Sequence, residues 1–300
     1  MAQSKKRIHQ MTIGQWEAAF PTEEACALYL IRHRWPVGVR CPRCGSDKVF
    51  DVSTMDFKWQ CYSCAPGTGY RFSHIAGTIF ENTNKPLRQW FRVIHMMLTS
   101  KKGVSAMQVH RTMGFGSYRT AWSMCHRVRA GLANEDFRKL MGVVEVDETY
   151  IGGKGKNKHG PRNHKAGPAD KFAVIGAVER KGNVVCRVLD RVTKEAMHAF
   201  VHQMVSTDVS LLATDEHQGY RNLEGFQDKH GAVYHSRAQY VTGAIHTNTI
   251  EGFWSLMKRG VMGSYHKVSK KYLPLYVAEF QFRYNNRLNA DIFGEAIRGC

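Results

Sequence analysis

The 300-residue sequence lacks long hydrophobic runs and contains few cysteines. Its longest apolar stretch, residues 172–178, is seven residues long, whereas a membrane-spanning helix needs roughly 18 or more. The basic residues near the N terminus are not followed by the apolar segment of a secretory signal. Eight cysteines are too few for a fold held together by disulfides. These absences argue against membrane-spanning and disulfide-rich secreted proteins, and we expect a cytosolic location.

Acidic side chains are also scarce. The 25 aspartates and glutamates are outnumbered by 43 lysines and arginines, which gives a net charge of +18. Hydrophobic residues make up 43% of the chain, so a disordered tail protein is excluded, and at ~150 residues per domain the length suggests about two domains. A positive charge of this size attracts polyanions, so DNA or RNA is the first partner to consider.

Half of the cysteines lie close together in the sequence. Cys41 and Cys44 are separated by two residues, sixteen residues follow, and Cys61 and Cys64 repeat the spacing. Two such cysteine pairs, each in a short turn called a knuckle, place four sulfurs around one Zn²⁺. Residues 49–60 are predicted to form the hairpin of a zinc ribbon. A redox motif is the alternative for a single pair, but two pairs favour zinc. The remaining cysteines are expected to be core or incidental thiols: Cys26, Cys125, Cys186 and Cys300.

The sequence has no fixed-period repeat, but its character changes twice. We expect an N-terminal helix and zinc ribbon over residues 1–82, a helical region that binds DNA over 83–141 and an α/β domain over 142–300. Capping residues and apolar spacing predict helices in the first two regions: 22–34, 85–98, 105–113 and 117–132. The last two are separated by Gly114, Phe115 and Gly116, which is the spacing of a helix-turn-helix.

The second helix of this pair carries basic residues. Arg119, Arg127 and Arg129 occur with Tyr118 and Trp122, so one face of the helix can follow DNA phosphates while another packs. A solvated face is the alternative, because any small helical bundle with a glycine turn and a basic surface has this pattern. The net charge favours DNA, and Arg119 and Arg127 are therefore candidate DNA contacts.

From residue 142 onward the pattern is typical of strands. Residues 143–151, 172–178 and 184–192 are rich in β-branched and aromatic side chains, with Gly and Asn at the breaks. A helix over 196–205 and a short buried strand over 210–214 follow. Strand, strand, strand, helix, strand, helix is the order of a ribonuclease H-like core. The predicted fold class is α/β, with this core preceded by the zinc ribbon and the helix-turn-helix-like region.

Three carboxylates fall at informative positions of that core. Asp147 lies in the first strand, Asp215 is the first polar residue after the fourth, and the topology places those strands side by side. Glu251 begins a helix with an apolar stripe, and Lys258 follows two turns later on the same face. Mg²⁺ ions held by carboxylates stabilise the attacking and leaving oxygens of a phosphodiester. The spacing alone therefore predicts a metal-dependent enzyme that acts on phosphodiesters.

Neighbouring residues compete for these roles. Glu145 and Glu148 flank Asp147, and in a strand Glu145 points to the same face as Asp147, so composition alone does not separate these two. His246 and Asn248 either orient the site or serve only in a turn or helix cap. Both pairs of alternatives stay open on the sequence pattern alone.

Six short segments carry a family resemblance. They are VDETYIGGK (146–154), ATDEHQGY (213–220), HTNTIEGFWSLMKR (246–259), CPRCG (41–45), AGTIF (76–80) and FRYNNR (282–287). The first three resemble the signatures of DDE transposases, and the whole set is similar to the zinc-ribbon, ISXO2-like group from bacterial insertion sequences. The resemblance covers nearly the whole chain from about residue 22.

The resemblance implies a ribonuclease H-like catalytic domain that uses Mg²⁺ or Mn²⁺, binds terminal inverted repeats and transfers 3′-OH ends into target DNA. It also implies a double-stranded DNA partner, an oligomer in the synaptic complex and a bacterial cytoplasmic location. It selects Asp147, Asp215 and Glu251 as metal ligands. Some relatives use Asn in place of the third acid, so Asn248 remains a candidate, but hard Mg²⁺ favours the carboxylate of Glu251.

A basic segment follows the strand that bears Asp147. It contains Lys154, Lys156 and Lys158 among Gly, Pro and His. We expect a loop that clamps DNA phosphates near the metal ions, and a solvated connection is the alternative. Lys258 is either a further phosphate contact or an exposed side chain.

Three functions fit these observations: a transposase, a DNA-binding regulator with an inactive α/β domain, and a nuclease that cuts without joining. The complete set of acidic residues argues against the regulator. A nuclease and a transposase share the same metal site, so only the family resemblance favours the transposase.

Overall fold

The computed structural model describes residues 11–64, 66–133, 138–152, 171–233 and 245–300. The chain divides into two compact units, one formed by Met1–Ala133 with Asn286–Cys300 and the other by Asn134–Asn285. Within the described ranges, every helix is too short or too polar to span a bilayer.

The first unit combines helices with a small antiparallel sheet. Its helices are α1 (Ile13–Ala19), α2 (Glu23–Arg34), α3 (Leu87–Thr99), α4 (Ala106–Met113), α5 (Tyr118–Gly131) and α9 (Ile292–Gly299), and its strands are β1 (Val49–Asp51), β2 (Lys58–Cys61) and β3 (Tyr70–Ser73). The four helices predicted from the sequence are present with nearly the predicted ends. The sequence did not predict α1, whose seven residues bury a single side chain, Trp16.

Side-chain caps fix where these helices begin. The hydroxyl groups of Thr22, Ser105 and Ser117 accept backbone N–H groups in the first turns of α2, α4 and α5. Gly114 ends α4 at a φ of +63°, a left-handed conformation that glycine adopts without strain. The two helices and the glycine turn of the predicted helix-turn-helix are therefore present.

The small sheet forms the zinc ribbon. β1 and β2 make the predicted antiparallel hairpin, and β3 adds a third strand next to β2. Trp59 of β2 and Phe72 of β3 pack against Cys41 and Cys61 in one buried cluster. The apolar cluster therefore supports the cysteine knuckles directly.

The second unit is built on a five-stranded sheet in the order β6-β5-β4-β7-β8. Its strands are β4 (Val143–Ile151), β5 (Phe172–Glu179), β6 (Val184–Leu189), β7 (Leu211–Asp215) and β8 (His230–Val233), and its helices are α6 (Lys194–Met204), α7 (Asn248–Gly260) and α8 (Leu273–Asn285). β4, β5 and β6 are antiparallel, whereas β7 runs parallel to both β4 and β8. This mixed sheet confirms the predicted ribonuclease H-like core.

Helices cover both faces of this sheet. Val144 and Val146 of β4 pack with residues of α6 on one face, while the apolar stripe of α7 and residues of α8 pack with β5 on the other. Because side chains alternate along a strand, Glu145 and Asp147 are directed to the α7 side. β8 was not predicted from the sequence, since it has only four residues and buries one of them.

Candidate active site and zinc site

Three carboxylates meet where β4 runs past the C-terminal end of β7. The parallel register pairs Glu145 with Ala213, so Asp215 at the end of β7 lies level with Asp147. Oxygens of Asp147, Glu148 and Asp215 all lie within 4.8 Å of one another. Carboxylate oxygens at this spacing are suitable ligands for Mg²⁺ or Mn²⁺. The structure thus places Asp147 and Asp215 together, as the sequence predicted, and adds Glu148.

The electrostatics of the cluster favour a bound cation. Burial, together with the charges of Asp215 and Glu148, raises the pKa of Asp147 to about 7. Burial and the charge of Asp215 also raise the pKa of Glu148. Three acids crowded in a partly buried site repel one another when they are ionised. A divalent cation removes that repulsion, so the donor set fits the metal.

Neighbouring groups hold each acid in place. Trp254 Nε1 donates to Asp147 Oδ2 at 3.0 Å, and the buried Tyr220 hydroxyl donates to Glu148 Oε2 at 2.9 Å. The backbone N–H of His217 donates to Asp215 Oδ1 at 3.1 Å. Each of these bonds orients its carboxylate within the cluster.

Trp254 has room at this position because β5 carries a glycine there. Gly176 pairs with Asp147 in the sheet, and a Cβ atom at Gly176 would lie 2.7 Å from the Trp254 ring. The missing side chain therefore lets the indole approach the sheet and reach Asp147. This contact was not predicted from the sequence, where the position of Trp254 indicated only the apolar stripe of α7.

Glu251 and Asn248 lie in the first turn of α7, and both are exposed. Thr247 Oγ1 donates to Glu251 Oε1 at 2.8 Å. Glu251 is not among the three carboxylates whose oxygens lie within 4.8 Å in the described part of the chain. Its charge nevertheless contributes to the raised pKa of Asp147, after the contributions of burial, Asp215 and Glu148. Glu251 is therefore near enough to act on Asp147 electrostatically.

Glu145 occupies a different environment from Asp147, although both point to the α7 side of β4. Glu145 is fully buried. Arg180 Nε lies 2.6 Å from Glu145 Oε1, and the backbone N–H groups of Thr249 and Ile250 donate to Oε2 at 2.7 and 3.0 Å. Glu145 is thus enclosed by protein donors, which separates it from the three-acid cluster.

The four cysteines of the ribbon form a second candidate metal site. Cys41 Sγ lies 3.8 Å from Cys64 Sγ, and Cys44 Sγ lies 3.7 Å from Cys61 Sγ. A tetrahedron with Zn–S bonds of ~2.3 Å has edges of about 3.8 Å. The geometry confirms the predicted zinc site. Gly45 adopts a φ of +72° directly after Cys44, where a side chain would be strained.

The basic residues singled out in the sequence have different surroundings. Arg119 is exposed at the start of α5, and Lys258 is exposed on α7. Arg127 Nη2 donates to the carbonyl of Glu81 at 2.6 Å, and its guanidinium lies 5.3 Å from the centre of the Trp90 ring. These contacts attach Arg127 to its own unit. Three further candidates lie outside the described residues: Lys154, Lys156 and Lys158.

Comparison with known proteins gives matches over both units. Residues 139–285 match the family of ISXO2-like transposase domains, and residues 21–66 match the transposase zinc-ribbon domain. The chain is 26% identical over 280 residues to an uncharacterized protein in transposable element ISH50 of Halobacterium salinarum. That alignment covers 88% of this chain and 91% of the relative.

A solved structure shows a weaker likeness. It is a simian T-cell lymphotropic virus intasome in complex with the PP2A regulatory subunit B56 gamma, with a TM-score of 0.28 and 15% identity. The match covers 59% of this chain and 65% of that one, just under two thirds of its length. A likeness at this level carries no argument about mechanism.

Proposed function

The chain belongs to the ISXO2-like transposase family, and on that premise we propose that it binds the terminal inverted repeats of an insertion sequence, cleaves DNA at the element ends and joins the 3′-OH ends to target DNA. The observation that supports this chemistry is the acidic cluster where β4 and β7 adjoin. DNA is the partner on which a transposase acts. We further propose a bacterial cytoplasmic location and an oligomer in the synaptic complex.

The acids beside the C-terminal end of β7 supply the reactive site. Mg²⁺ or Mn²⁺, when bound, activates the attacking oxygen and stabilises the leaving oxygen of the phosphodiester. Asp147 and Asp215 offer carboxylate oxygens from adjacent strands, so their separation is fixed by the hydrogen bonds of the sheet. Trp254 orients Asp147 through its indole N–H, and Tyr220 orients Glu148 through its hydroxyl.

We propose that Glu251 is the third acidic ligand, with Asn248 as the alternative. Two observations support Glu251: it lies in the first turn of α7, where the helix dipole favours a carboxylate, and its charge contributes to the raised pKa of Asp147. Glu148 is a further candidate because its oxygens lie within the cluster.

We also propose how the rest of the chain contacts DNA. The exposed Arg119 of α5 and Lys258 of α7 are candidate phosphate contacts, together with the basic segment that begins at Lys154. Arg127 is a weaker candidate, since its guanidinium already contacts Glu81 and Trp90. The division into residues 1–82, 83–141 and 142–300 remains our proposal for the ribbon, the helical DNA-binding region and the catalytic domain.

The test is a strand-transfer assay with purified protein, Mg²⁺, labelled element ends and a plasmid target. Joined products support the transposase, whereas cleavage without joining identifies a nuclease. Binding without either reaction identifies a regulator with an inactive domain.

The same assay assigns the third ligand. Glu251→Gln is expected to bind element ends but neither cleave nor join them, while Asn248→Ala keeps part of the activity. Glu148→Gln tests the further candidate in the same assay. The opposite ranking of Glu251→Gln and Asn248→Ala moves the third ligand to Asn248, and loss of activity only in Glu148→Gln moves it to Glu148.

A further inference from the structure

Glu145 is a buried carboxylate that joins two elements of the catalytic unit. It lies in β4, two residues before Asp147, and its residue is fully buried. Its two oxygens accept four hydrogen bonds: from Arg180 Nε, Thr249 Oγ1, Thr249 N and Ile250 N at 2.6, 2.9, 2.7 and 3.0 Å. His246 Nδ1 lies 3.2 Å from Oε1 as well. A carboxylate with this many protein donors is not available to a metal ion.

Three of the four donors belong to the beginning of α7. The helix starts after Thr247, so Thr249 and Ile250 are its second and third residues, whose N–H groups have no partner within the helix. Normally the side chain of the residue just before the helix accepts one of these N–H groups. Here Thr247 makes no such bond, and Glu145 accepts both N–H groups from the neighbouring strand.

Thr247 has a different partner. Its hydroxyl donates to Glu251 Oε1 at 2.8 Å, which is the carboxylate proposed as the third ligand. Because Glu145 caps the helix, the Thr247 side chain is available to hold Glu251. The strand that bears Asp147 is therefore connected to Glu251 in two steps. Glu145 accepts the N–H groups at the start of α7, and Thr247, just before the helix, donates to the Glu251 carboxylate.

Arg180 balances the buried charge and extends the connection. Its Nε bonds Glu145, and its Nη2 donates to the carbonyl of His246 at 3.0 Å. The guanidinium therefore fixes the segment that leads into α7. A buried carboxylate without this partner would be strongly destabilising.

We propose that Glu145 is a positioning residue: it fixes the first turn of α7 against β4 and so sets the distance between Asp147 and Glu251. The inference rests on the proposed function of this site. A second contact, from Trp254 to Asp147, lies further along the same helix. Movement of the helix start therefore disturbs both the third ligand and the orientation of Asp147.

Glu145→Gln tests the proposal, because it keeps the shape of the side chain but replaces one accepting oxygen with a donor. The matched control is Glu279→Gln, which alters an equally buried carboxylate on α8 that accepts from the Tyr265 hydroxyl at 2.9 Å. Both variants are expected to lower stability. Only Glu145→Gln is expected to weaken Mn²⁺ binding, measured on the DNA-free protein, by about 10- to 100-fold.

Two further measurements accompany metal binding. Amide hydrogen exchange at Thr249 and Ile250 is expected to accelerate in Glu145→Gln and to stay unchanged in Glu279→Gln. The Mg²⁺ concentration needed for end cleavage is expected to rise only in Glu145→Gln, while binding of inverted-repeat DNA stays the same. If Glu145 only stabilised the fold, Glu145→Gln would lower the unfolding temperature but leave the Mn²⁺ affinity and the Mg²⁺ concentration needed for cleavage unchanged.

Equal metal affinity in the two variants overturns the proposal. If Glu145→Gln does not fold, Thr249→Ala removes one hydroxyl donor and is expected to weaken Mn²⁺ binding about fivefold; unchanged binding in that variant also overturns it. If the wild-type protein does not cleave element ends, the proposed function fails instead, and Mn²⁺ binding by the DNA-free variants still decides the role of Glu145.

Discussion

The protonation of Asp147 should control both the stability of the metal-free protein and its affinity for Mg²⁺. Its pKa rises from the ordinary value of 3.8 to about 7, mainly through burial and then through the charges of Asp215 and Glu148. Between about pH 4 and pH 7 the folded protein therefore keeps a proton that the unfolded chain has released. The contribution of Asp147 to stability therefore falls as the pH rises through this window and levels off above it.

The size of this effect follows from the displacement of the pKa from 3.8 to about 7. At ~1.36 kcal/mol for each pH unit it amounts to about 4 kcal/mol. Asp147→Asn has no proton to lose, and its amide oxygen can still accept from Trp254 Nε1. The raised pKa of Glu148 acts in both proteins, so between about pH 4 and pH 8 the wild-type protein is expected to lose up to about 4 kcal/mol more stability than Asp147→Asn.

The assay is urea unfolding in Mg²⁺-free buffer without a chelator, so that the ribbon keeps its zinc. Asp190→Asn is the control, because the hydrogen bond from Lys270 and the charge of Lys270 lower the pKa of Asp190. The stability that Asp190 contributes is present above the pKa of the unfolded chain and is lost only at lower pH. Its variant should therefore parallel the wild-type protein across the window.

Mg²⁺ binding gives an independent measurement of the same proton. A carboxyl group with a pKa of about 7 is about nine-tenths protonated near pH 6, and it must lose that proton to bind the metal. Calorimetry in two buffers of different ionisation enthalpy should detect about 0.9 proton released near pH 6 and about 0.1 near pH 8. Parallel unfolding curves for wild type and Asp147→Asn, or proton release that does not change with pH, would refute the reasoning.

Three further predictions concern the rest of the chain. Cys61→Ser should lose the bound zinc and lower the stability of the first unit by several kcal/mol, whereas Cys26→Ser, at an equally buried thiol, should keep one zinc by metal analysis. Gly176→Ala should cost about 1–3 kcal/mol in urea unfolding and reduce end cleavage, because the new methyl group displaces the Trp254 ring; Gly252→Ala, where nothing lies within 4 Å of the new atom, is the control. Neutralising Lys154, Lys156 and Lys158 together should reduce the log–log salt slope of DNA binding by about 0.9 for each phosphate that is no longer neutralised. An unchanged slope would mean that these lysines do not contact DNA phosphates.

The sequence predicted most of the fold because its periodic patterns were strong. The apolar stripe of α7 contains Ile250, Trp254 and Met257 at helical spacing, and all three are buried. Strands β4 and β5 were predicted almost to the residue, since each is a long β-branched run that ends at polar or glycine residues. Two of the elements that were missed, β8 and α1, are too short to show a period, whereas the 13-residue α8 was missed for a reason other than length.

The candidate site was predicted less completely, because its contacts depend on tertiary structure. Asp147 and Asp215 follow from strand positions, and the cysteine spacing gives the zinc site. No local pattern indicates that the hydroxyl of Tyr220 bonds Glu148, or that the indole of Trp254 bonds Asp147. Both side chains were consistent with simple apolar burial. A polar atom at the end of a buried aromatic ring requires a partner, and that rule was the available signal.

Glu145 and Asp147 have different surroundings because they lie at different positions along β4. Glu145 pairs with Ala213, inside β7, so it lies beneath the start of α7, and its oxygens accept from Arg180 and the helix end. Asp147 lies two residues further, beyond the last parallel pair and level with Asp215, in the cluster of acids proposed to bind the metal. Composition alone does not separate Glu145 from Asp147, since both point to the α7 side of the sheet. The length of the neighbouring strand separates them, because Glu145 lies beside a continuing strand and is fully buried, whereas Asp147 lies beside the end of that strand and is only partly buried.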